Sequence, residues 1–379
     1  MRIIMASRES DWRREAENSI LLKSVSHWRE KPDRWFRGSY DRLPETVRVN
    51  PMSEEKDWVE SWLSGIGANR IPWFSGPGSA WEMPFERGSA EEEVKSLMSA
   101  LHETGRITRQ EAVSMLPVLA LDPTPGQIIL DLCASPGSKT TQICEHLGDS
   151  GAVVANEVIS GRVNTLVTNV QRHASRTVLV VQHDGRHIPR VPGSGFDGVL
   201  VDVPCTGSGT TRKNPDVWGK WRPSSGRSLH SLQYDLLTRA IELTKPGGRV
   251  VYSTCSLDPI ENEAVVARVL AGGKVRVVPR GDSLSGVPSN PGMTNWPLLN
   301  DKGELDNESK SEEYLIPTKD MAVSSQLNEC LRVWNDEIGG GGFFLAVLER
   351  ILEDDVSGVI NPFMSQKTID DPESFPQPI

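Results

Sequence analysis

Residues 128–139 have the sequence IILDLCASPGSK, in which a short apolar run leads into a loop of small residues. Four similar runs follow along the chain, at 152–155, 177–181, 198–203 and 249–253. Each is short, rich in Val and Ile and nearly unbroken by polar residues, as in strands that are covered on both faces of a parallel sheet. The runs therefore predict a five-stranded parallel core.

The stretches between these runs have helical patterns, at 138–147, 160–173, 228–244 and 259–270. Alternation of strands and helices predicts an α/β fold with a doubly wound, Rossmann-like sheet. A late run at 343–348 is a candidate to close the sheet. We expect a mainly helical extension at 1–89, the α/β domain at 90–350 with an acidic insertion or loop at about 282–337, and a C-terminal tail at 351–379.

The extension has its own pattern. Residues 1–63 have helical periodicity with charged faces, and 65–84, with three prolines and four glycines, predict a linker or irregular cap. Residues 90–121 return to helical periodicity.

Composition places the chain among globular proteins. It has 379 residues, of which 37% are hydrophobic and 24% charged. No apolar run approaches the roughly 18 residues of a membrane-spanning helix, and no secretory signal is recognised. We therefore expect a cytoplasmic protein that does not contact membranes, and a monomer.

The net charge of −10 argues against a polyanionic partner, but it is unevenly distributed. Residues 280–379 hold 7 basic and 18 acidic side chains, whereas 1–279 hold 34 and 33. The first 50 residues are slightly basic, and a second basic cluster comprises Arg212, Lys213, Lys220, Arg222 and Arg227. These clusters are compatible with a phosphate-binding surface or simply with a solvated charged face.

Ligands of a doubly wound sheet bind outside the carboxyl ends of its strands. After the first predicted strand, the loop 133–139 lets a ligand approach the backbone, although it lacks the dinucleotide and Walker glycine patterns. Glu157 follows the second strand, about 20 residues past the Gly-rich turn, where an acidic side chain typically accepts hydrogen bonds from ribose hydroxyls. Asp184 follows the third strand.

The five cysteines form neither a zinc-ligand pattern nor a disulfide framework, so no metal is expected. Cys144 and Cys330 fit the role of small buried hydrophobic residues. Cys205 lies in DVPCTGSGT, after the fourth strand, and Cys255 lies in YSTCS, after the fifth. In the usual strand order these strands are neighbours, so both thiols should open into one crevice beside Asp202.

These motifs resemble the RNA cytosine-5 methyltransferases of the Nop/Sun family. The resemblance covers roughly residues 90–280 and rests on CASPGSK, on DVPCTGSGT followed by RKNPDVW, and on YSTCSLDPIENE. The segment TGRITRQEAVSM at 104–115 is similar to the branch that modifies tRNA. Ser135 stands where the family usually has Ala, and Glu157 where it usually has Asp.

The resemblance implies S-adenosylmethionine as cofactor and RNA, in particular tRNA, as partner. It assigns the cofactor to Glu157 at the ribose, Asp184 near the adenine, Asp202, and the loop of Cys133, Ala134, Ser135, Pro136, Gly137, Ser138 and Lys139. It also implies that Cys255 is the nucleophile that adds to carbon 6 of cytosine and that Cys205 assists product release. Asp202 would hydrogen-bond or protonate ring nitrogen 3.

Several alternatives stay open at this point. A DNA enzyme would use Cys205 as nucleophile, a ribosomal RNA enzyme would share the chemistry of Cys255, and a catalytically silent RNA-binding assembly factor would share only the fold. Asp202-Val203-Pro204-Cys205 argues against methylation of exocyclic amines, which commonly uses an N-P-P-Y type motif. Trp218 and Trp221 could stack on bases or pack in the core.

Overall fold

The structure is a computed structural model that describes residues 13–148, 150–279, 281–306 and 312–352. Its centre is a sheet in which the parallel strands β5 (Ile128–Asp131), β6 (Ala152–Asn156), β7 (Val178–Val181), β8 (Phe196–Asp202) and β9 (Thr244–Thr254) lie in the order β7-β6-β5-β8-β9. Numbered by their place in the sheet domain, these strands have the doubly wound order 3-2-1-4-5. The predicted α/β class is confirmed.

The sheet continues beyond β9 with antiparallel strands. β13 (Phe343–Arg350) pairs with β9, and it also pairs with β10 (Val275–Val277) and β12 (Leu331–Val333). β12 in turn pairs with the two-residue strand β11 (Asn290–Pro291). The late run at 343–348 therefore joins the sheet beside β9, but it does not close it as predicted, because β12 and β11 lie beyond it.

Helices cover both faces of this sheet, because successive residues of its strands point to opposite sides. Val199 and Val201 pack in the cluster that includes α9 (Pro223–Leu243) and α10 (Glu263–Leu270). Leu200 packs on the other face with α5 (Leu116–Leu121) and α6 (Ser138–Leu147). The remaining crossover helix, α7 (Ser160–His173), packs beside β7.

A second, smaller sheet is formed by residues that precede the large one. Its four strands, all antiparallel, are β1 (Pro44–Val49), β2 (Asn69–Arg70), β3 (Ser79–Glu86) and β4 (Ile107–Arg109), in the order β2-β3-β1-β4. Helices α3 (Lys56–Gly65) and α4 (Glu92–Glu103) bury their apolar side chains against it. A 3₁₀ turn, Ala112–Met115, then leads into α5.

This small sheet corrects three sequence-based predictions. The segment 1–63, predicted to be helical, contains strand β1; the segment 65–84, predicted to be a linker or irregular cap, contains β2 and most of β3; and β4 interrupts the helical stretch 90–121. Local patterns missed β2 and β4 because they have only two and three residues, and missed β1 and β3 because antiparallel pairing depends on segments elsewhere in the chain. The sheet also extends past the predicted domain limit at residue 89.

The first helices of the chain pack on the large domain. α1 (Ile20–Trp28) begins at Ser19, whose hydroxyl accepts from the amide N–H of Leu22, and α2 (Pro32–Gly38) follows. Trp35 lies 5.5 Å from Trp218 between ring centroids, and Trp28 lies 5.7 Å from Trp221. The short helix α8 (Val217–Lys220) carries Trp218 into this cluster.

The acidic segment 282–337 is more ordered than a loop. It contains β11, β12 and α11 (Met321–Leu327), and the side chains of Leu327, Leu331 and Val333 are buried. The prediction from polar composition missed these few apolar positions. Within the part of the chain that the structure describes, no helix is both long enough and apolar enough to cross a membrane.

Candidate active site

The two cysteines that follow β8 and β9 lie side by side. Strands β8 and β9 are neighbours, and Asp202 pairs in register with Ser253, so the loops that follow them leave the sheet together. The Sγ atoms of Cys205 and Cys255 are 3.2 Å apart. Each residue is only partly exposed. The structure thus brings together the two thiols that the sequence placed in one crevice.

A buried carboxylate, Glu261, ties these two loops to each other. It accepts hydrogen bonds from the amide N–H of Thr206 at 2.9 Å, from the Thr206 hydroxyl, and from the Ser256 hydroxyl. The side-chain amide of Gln233 also donates to it, at 3.0 Å. Glu261 is completely buried, and burial raises its pKa. The residue next to each cysteine is therefore anchored to one common acceptor.

Asp202 stands between two donors at the end of β8. Its Oδ2 atom accepts from Lys139 Nζ at 2.7 Å, and its Oδ1 atom accepts from Ser253 Oγ at 2.7 Å. Lys139 also donates to Ser114 Oγ at 2.9 Å. Burial disfavours the charged ammonium of Lys139 and by itself would lower its pKa. The Asp202 carboxylate stabilises that charge more strongly, so the pKa of Lys139 is raised. The carboxylate is held in one orientation as a result.

The surroundings of Cys205 favour its protonated thiol over the thiolate. Its hydrogen bond with Cys255, together with burial, raises the pKa of Cys205 well above the ordinary value. A thiol with a raised pKa keeps its proton at neutral pH.

The loop 133–139 connects β5 to α6 and is fixed by its neighbours. The amide N–H of Ala134 donates to the carbonyl of Asn156 at 2.8 Å, and the side-chain amide of Asn156 donates to the carbonyl groups of Leu132 and His183. Gly137 has φ of +108°, and a Cβ there would lie 2.9 Å from Leu166 Cδ1. Only glycine meets both demands without strain.

Glu157 and Asp184 lie just beyond β6 and β7, the two strands on one side of β5. Glu157 is almost fully buried, and its Oε1 accepts from the amide N–H of Ile159 at 2.9 Å. Asp184 is half-exposed, and its hydrogen bonds with Arg186 lower its pKa to about 2. A carboxylate has about four acceptor positions, so both groups keep capacity for a ligand hydroxyl or amine. These residues fit a nucleoside-bearing cofactor beside the loop.

A cleft of about 350 Å³ joins the two sheets at this edge. Its lining includes Lys139, Asp202 and Cys255 from the large domain and Arg87 and Arg109 from the small one. Cys205, Glu157 and Asp184 lie outside its lining. The predicted site residues thus divide into a group that lines the cleft, around Cys255, and a group outside its lining, around Glu157.

The structure excludes base stacking by two tryptophans and shows the partners of the basic cluster. Trp218 and Trp221 are at most 3% exposed and pack in the core, so neither is available to stack on a base. Arg212 donates to the backbone carbonyls of Asp41, Arg42 and Gly340, so its guanidinium holds the fold together. Three other members of the cluster also have partners: Lys220 pairs with Asp216, Arg222 donates to Gly219 and Trp221, and Arg227 pairs with Asp306. Lys213 is exposed.

Sequence reasoning missed four residues that shape the site: Ser114, Asp131, Ser253 and Glu261. Asp131 is 1% exposed at the end of β5, and burial raises its pKa to about 7. Ser253 and Glu261 flank Cys255 within YSTCSLDPIENE, and their polar side chains in that stretch were the available signal. In the described part of the chain, no three His, Cys, Asp or Glu side chains form a group that could hold a metal ion.

The chain has the Rossmann-like fold of class I methyltransferases, with two cysteines just beyond its adjacent strands β8 and β9. The model of the family described as 16S rRNA methyltransferase RsmB/F matches residues 118–349. The match covers more than half of the chain, and the chain belongs to this family.

Three known proteins illustrate the similarity. A multisite-specific tRNA (cytosine-C5) methyltransferase of Saccharomyces cerevisiae is 41% identical over 65% of this chain and 39% of its own length. A tRNA (cytosine(34)-C5) methyltransferase of Drosophila melanogaster is 39% identical over 72% of this chain and 41% of its own length. The chain therefore spans about two fifths of these curated relatives. The crystal structure of a methyltransferase homologue from Pyrococcus horikoshii has a TM-score of 0.65, with 27% identity over 87% of this chain and 93% of that one.

Proposed function

We propose that this protein methylates carbon 5 of cytosine in RNA, with tRNA as the substrate and S-adenosylmethionine as the methyl donor. The observation that carries the proposal is the pair of thiols, Cys205 and Cys255, 3.2 Å apart beside Asp202. Two thiols and a carboxylate at adjacent strand ends suit the chemistry of a cytosine ring. The names of the tRNA-modifying relatives support the same reaction.

Carbon 5 of cytosine is too electron-poor to attack a methyl group, so the ring must first gain a nucleophile at carbon 6. The Cys255 thiolate supplies it, forming a sulfur–carbon bond and making carbon 5 nucleophilic. Cys255 lines the cleft that the substrate enters, whereas Cys205 does not. This difference in access supports Cys255 rather than Cys205 as the nucleophile, and it disfavours the DNA-type arrangement.

Asp202 assists the addition in its protonated form, by donating that proton to ring nitrogen 3, where electron density rises as the thiolate adds. Lys139 and Ser253 hold the two oxygens of its carboxylate, so the group is oriented before substrate arrives. This preorganisation avoids a reorganisation cost during the reaction.

After methyl transfer, the carbon 5 proton must leave before the Cys255 adduct can be released. Cys205 lies in hydrogen-bond contact with Cys255 and keeps its own proton at neutral pH. When Cys205 has passed that proton to solvent, its thiolate is strongly basic and takes the carbon 5 proton, while the Cys255–carbon 6 bond breaks and Cys255 leaves as a thiolate. We assign it to the release step on these grounds.

S-adenosylmethionine supplies an electrophilic methyl group on its sulfonium. The residues proposed to hold it are the loop 133–139, Glu157 at the ribose, Asp184 near the adenine, and Asp202. The fit of the donor set, with two carboxylates at the neighbouring strand ends, supports this assignment. Ser135 and Glu157 replace the Ala and Asp usual in the family, and the proposal accommodates both.

The target cytosine must leave its stack, because carbon 6 accepts a thiolate only from above the ring plane. Base flipping typically costs a few kcal/mol and is least costly where pairing is weak, which favours loops and junctions of tRNA. A ribosomal RNA substrate is the alternative, favoured by the description of the matching family. A cytoplasmic location, a monomeric state and the domain limits 1–89, 90–350 and 351–379 stay predictions.

The test is methyl transfer from labelled S-adenosylmethionine to purified tRNA and to ribosomal RNA, followed by bisulfite sequencing of both. We expect 5-methylcytosine in tRNA with the unsubstituted protein and none with Cys255→Ser. Cys330→Ala, which alters a buried cysteine outside the site, is the matched control and should stay active. Methylation of ribosomal RNA alone would overturn the substrate, and no methylation of either RNA would favour a silent RNA-binding factor.

A further inference from the structure

The cleft beside Cys255 does not end at the active site. A second cavity, of about 400 Å³, shares Leu43, Arg87 and Lys213 with the cleft. The two cavities form one groove between the small sheet and the loop 207–215. The groove runs from Cys255 to the surface near Tyr40 and Arg42.

Most of the acidic side chains that line the cleft already have an ion-pair or hydrogen-bond partner. The Glu45 carboxylate lies 3.3 Å from Arg109 Nε, and Asp202 pairs with Lys139. Glu111 accepts from the amide N–H groups of Ser114 and Gly341. In the outer cavity, the acidic residues Asp41 and Glu86 both face the charge of Arg212.

Two basic side chains that line the groove have no such partner among the described residues. Arg87 and Lys213 are exposed, and neither forms an ion pair or a side-chain hydrogen bond with any residue that the structure describes. They approach the groove from opposite walls, since Arg87 follows β3 of the small sheet and Lys213 lies in the loop after Cys205. Both line the same cavity as Cys255.

We propose that Arg87 and Lys213 form a two-sided clamp for RNA backbone phosphates next to the target nucleotide. This inference rests on the proposed function and deepens it, because it gives the small antiparallel sheet a role in holding substrate. A chain with net charge −10 repels a polyanion at long range, so binding requires a local site of unpaired cations. The two cations that share the cleft with the nucleophile meet that requirement.

The clamp keeps one member of the basic cluster that the sequence offered as a phosphate-binding surface. Of Arg212, Lys213 and Lys220, only Lys213 lines the groove with its charge unpaired; Arg212 holds backbone carbonyls and Lys220 pairs with Asp216. Arg87 was not predicted, because its place beside Lys213 depends on the pairing of β3 with β1.

The test compares Arg87→Gln/Lys213→Gln with Arg190→Gln/Lys319→Gln in the full chain. The control pair removes the same charge from two exposed cations that do not line the groove. Binding of unmodified tRNA is measured between 50 and 200 mM salt, with S-adenosylmethionine affinity measured in parallel. Each lost phosphate contact should reduce the slope of log affinity against log salt by roughly 0.7 to 0.9.

We expect the clamp variant to bind tRNA on the order of tenfold more weakly at the low-salt end, with a salt slope shallower by about 1.4 to 1.8. Its affinity for S-adenosylmethionine should equal that of the unsubstituted protein, and the control pair should keep the original slope. A clamp variant with an unchanged slope would overturn the clamp while tRNA methylation by the unsubstituted protein still upheld the proposed function. Failure of the unsubstituted protein to bind tRNA would overturn both.

Discussion

Arg48 in β1 and Glu145 in α6 form a buried, bidentate ion pair between the small sheet and the large domain. Arg48 Nε and Nη2 each lie 2.8 Å from a different oxygen of the Glu145 carboxylate, and both side chains are at most 1% exposed. Arg48 also donates to the carbonyl of Ser138, at the start of α6. The small sheet therefore supports the helix that follows the loop 133–139.

Arg48→Met should destabilise the protein strongly. It leaves the buried Glu145 carboxylate without its guanidinium partner, so that among the described residues only His173 Nε2, 3.0 Å from Oε1, still contacts it. Breaking one side of a buried pair typically costs about 3–5 kcal/mol. Denaturant unfolding measures the loss. Arg48→Met/Glu145→Leu should recover part of it, and Arg276→Met, which breaks an exposed pair with Glu349, should cost about 1 kcal/mol or less. A cost of that small size for Arg48→Met would contradict the structural role of the pair.

Substitution of Cys255 and substitution of Cys205 should have different effects on the covalent RNA adduct. Cys255→Ser is expected to abolish the covalent RNA adduct, because the nucleophile is lost, whereas Cys205→Ala is expected to leave addition intact and accumulate the adduct. Denaturing gels with labelled RNA detect the complex. Accumulation with the Cys255 variant instead would assign the nucleophile to Cys205.

Glu261→Gln should impair catalysis with little effect on cofactor binding. Both oxygens of Glu261 accept hydrogen bonds, so an amide nitrogen would face donors from Thr206 and Gln233 or from Thr206 and Ser256. An unsatisfied buried donor costs about 1–3 kcal/mol. We expect kcat to fall roughly tenfold or more, a change worth about 1.4 kcal/mol in the barrier.

The alkylation rates of Cys205 and Cys255 provide a second readout for Glu261→Gln, since displaced loops alter access to both thiols. Glu242→Gln, at an exposed carboxylate on α9, is the matched control. Unchanged kcat and unchanged alkylation in the Glu261 variant would show that the loops hold their geometry without it.

Asp131 should make stability depend on pH. Burial raises its pKa from 3.8 to about 7, so the folded protein keeps a proton that the unfolded chain has released near pH 4. The stability this provides is complete below pH 4 and is lost as the pH rises to 7. Between pH 5 and 7, the free energy of unfolding should fall by roughly 2 kcal/mol more in the unsubstituted protein than in Asp131→Asn.

Asp184→Asn is the control for that experiment. The pKa of Asp184 is lowered to about 2 through its hydrogen bonds with Arg186, so its contribution to stability changes only in acid. Asp184→Asn should therefore follow the unsubstituted protein between pH 5 and 7. Parallel curves for Asp131→Asn and the unsubstituted protein would contradict the raised pKa of Asp131.

The parallel half of the fold could be predicted from local patterns. The predicted helices 138–147 and 160–173 coincide with α6 and α7, and each predicted strand of the large sheet overlaps an observed one. Strands buried on both faces must be apolar throughout, and the crossover helices have apolar residues at helical spacing. Each element can therefore be recognised from its own stretch of sequence. Because parallel strand ends share one edge of the sheet, the position of Cys205 beside Cys255 also followed from the sequence.

The sequence by itself determined the α/β class, the main strands and helices, and the residues that carry chemistry at the strand ends. Only the tertiary structure decided the small sheet, the burial of Arg48 and Trp218, and which cations face the groove. Antiparallel pairing of β1 with β3 and β4 depends on contacts between distant segments, which no local period records. The sequence likewise does not show whether a basic side chain binds a buried carboxylate, a backbone carbonyl or a phosphate. That choice depends on the groups that surround the side chain in the folded protein.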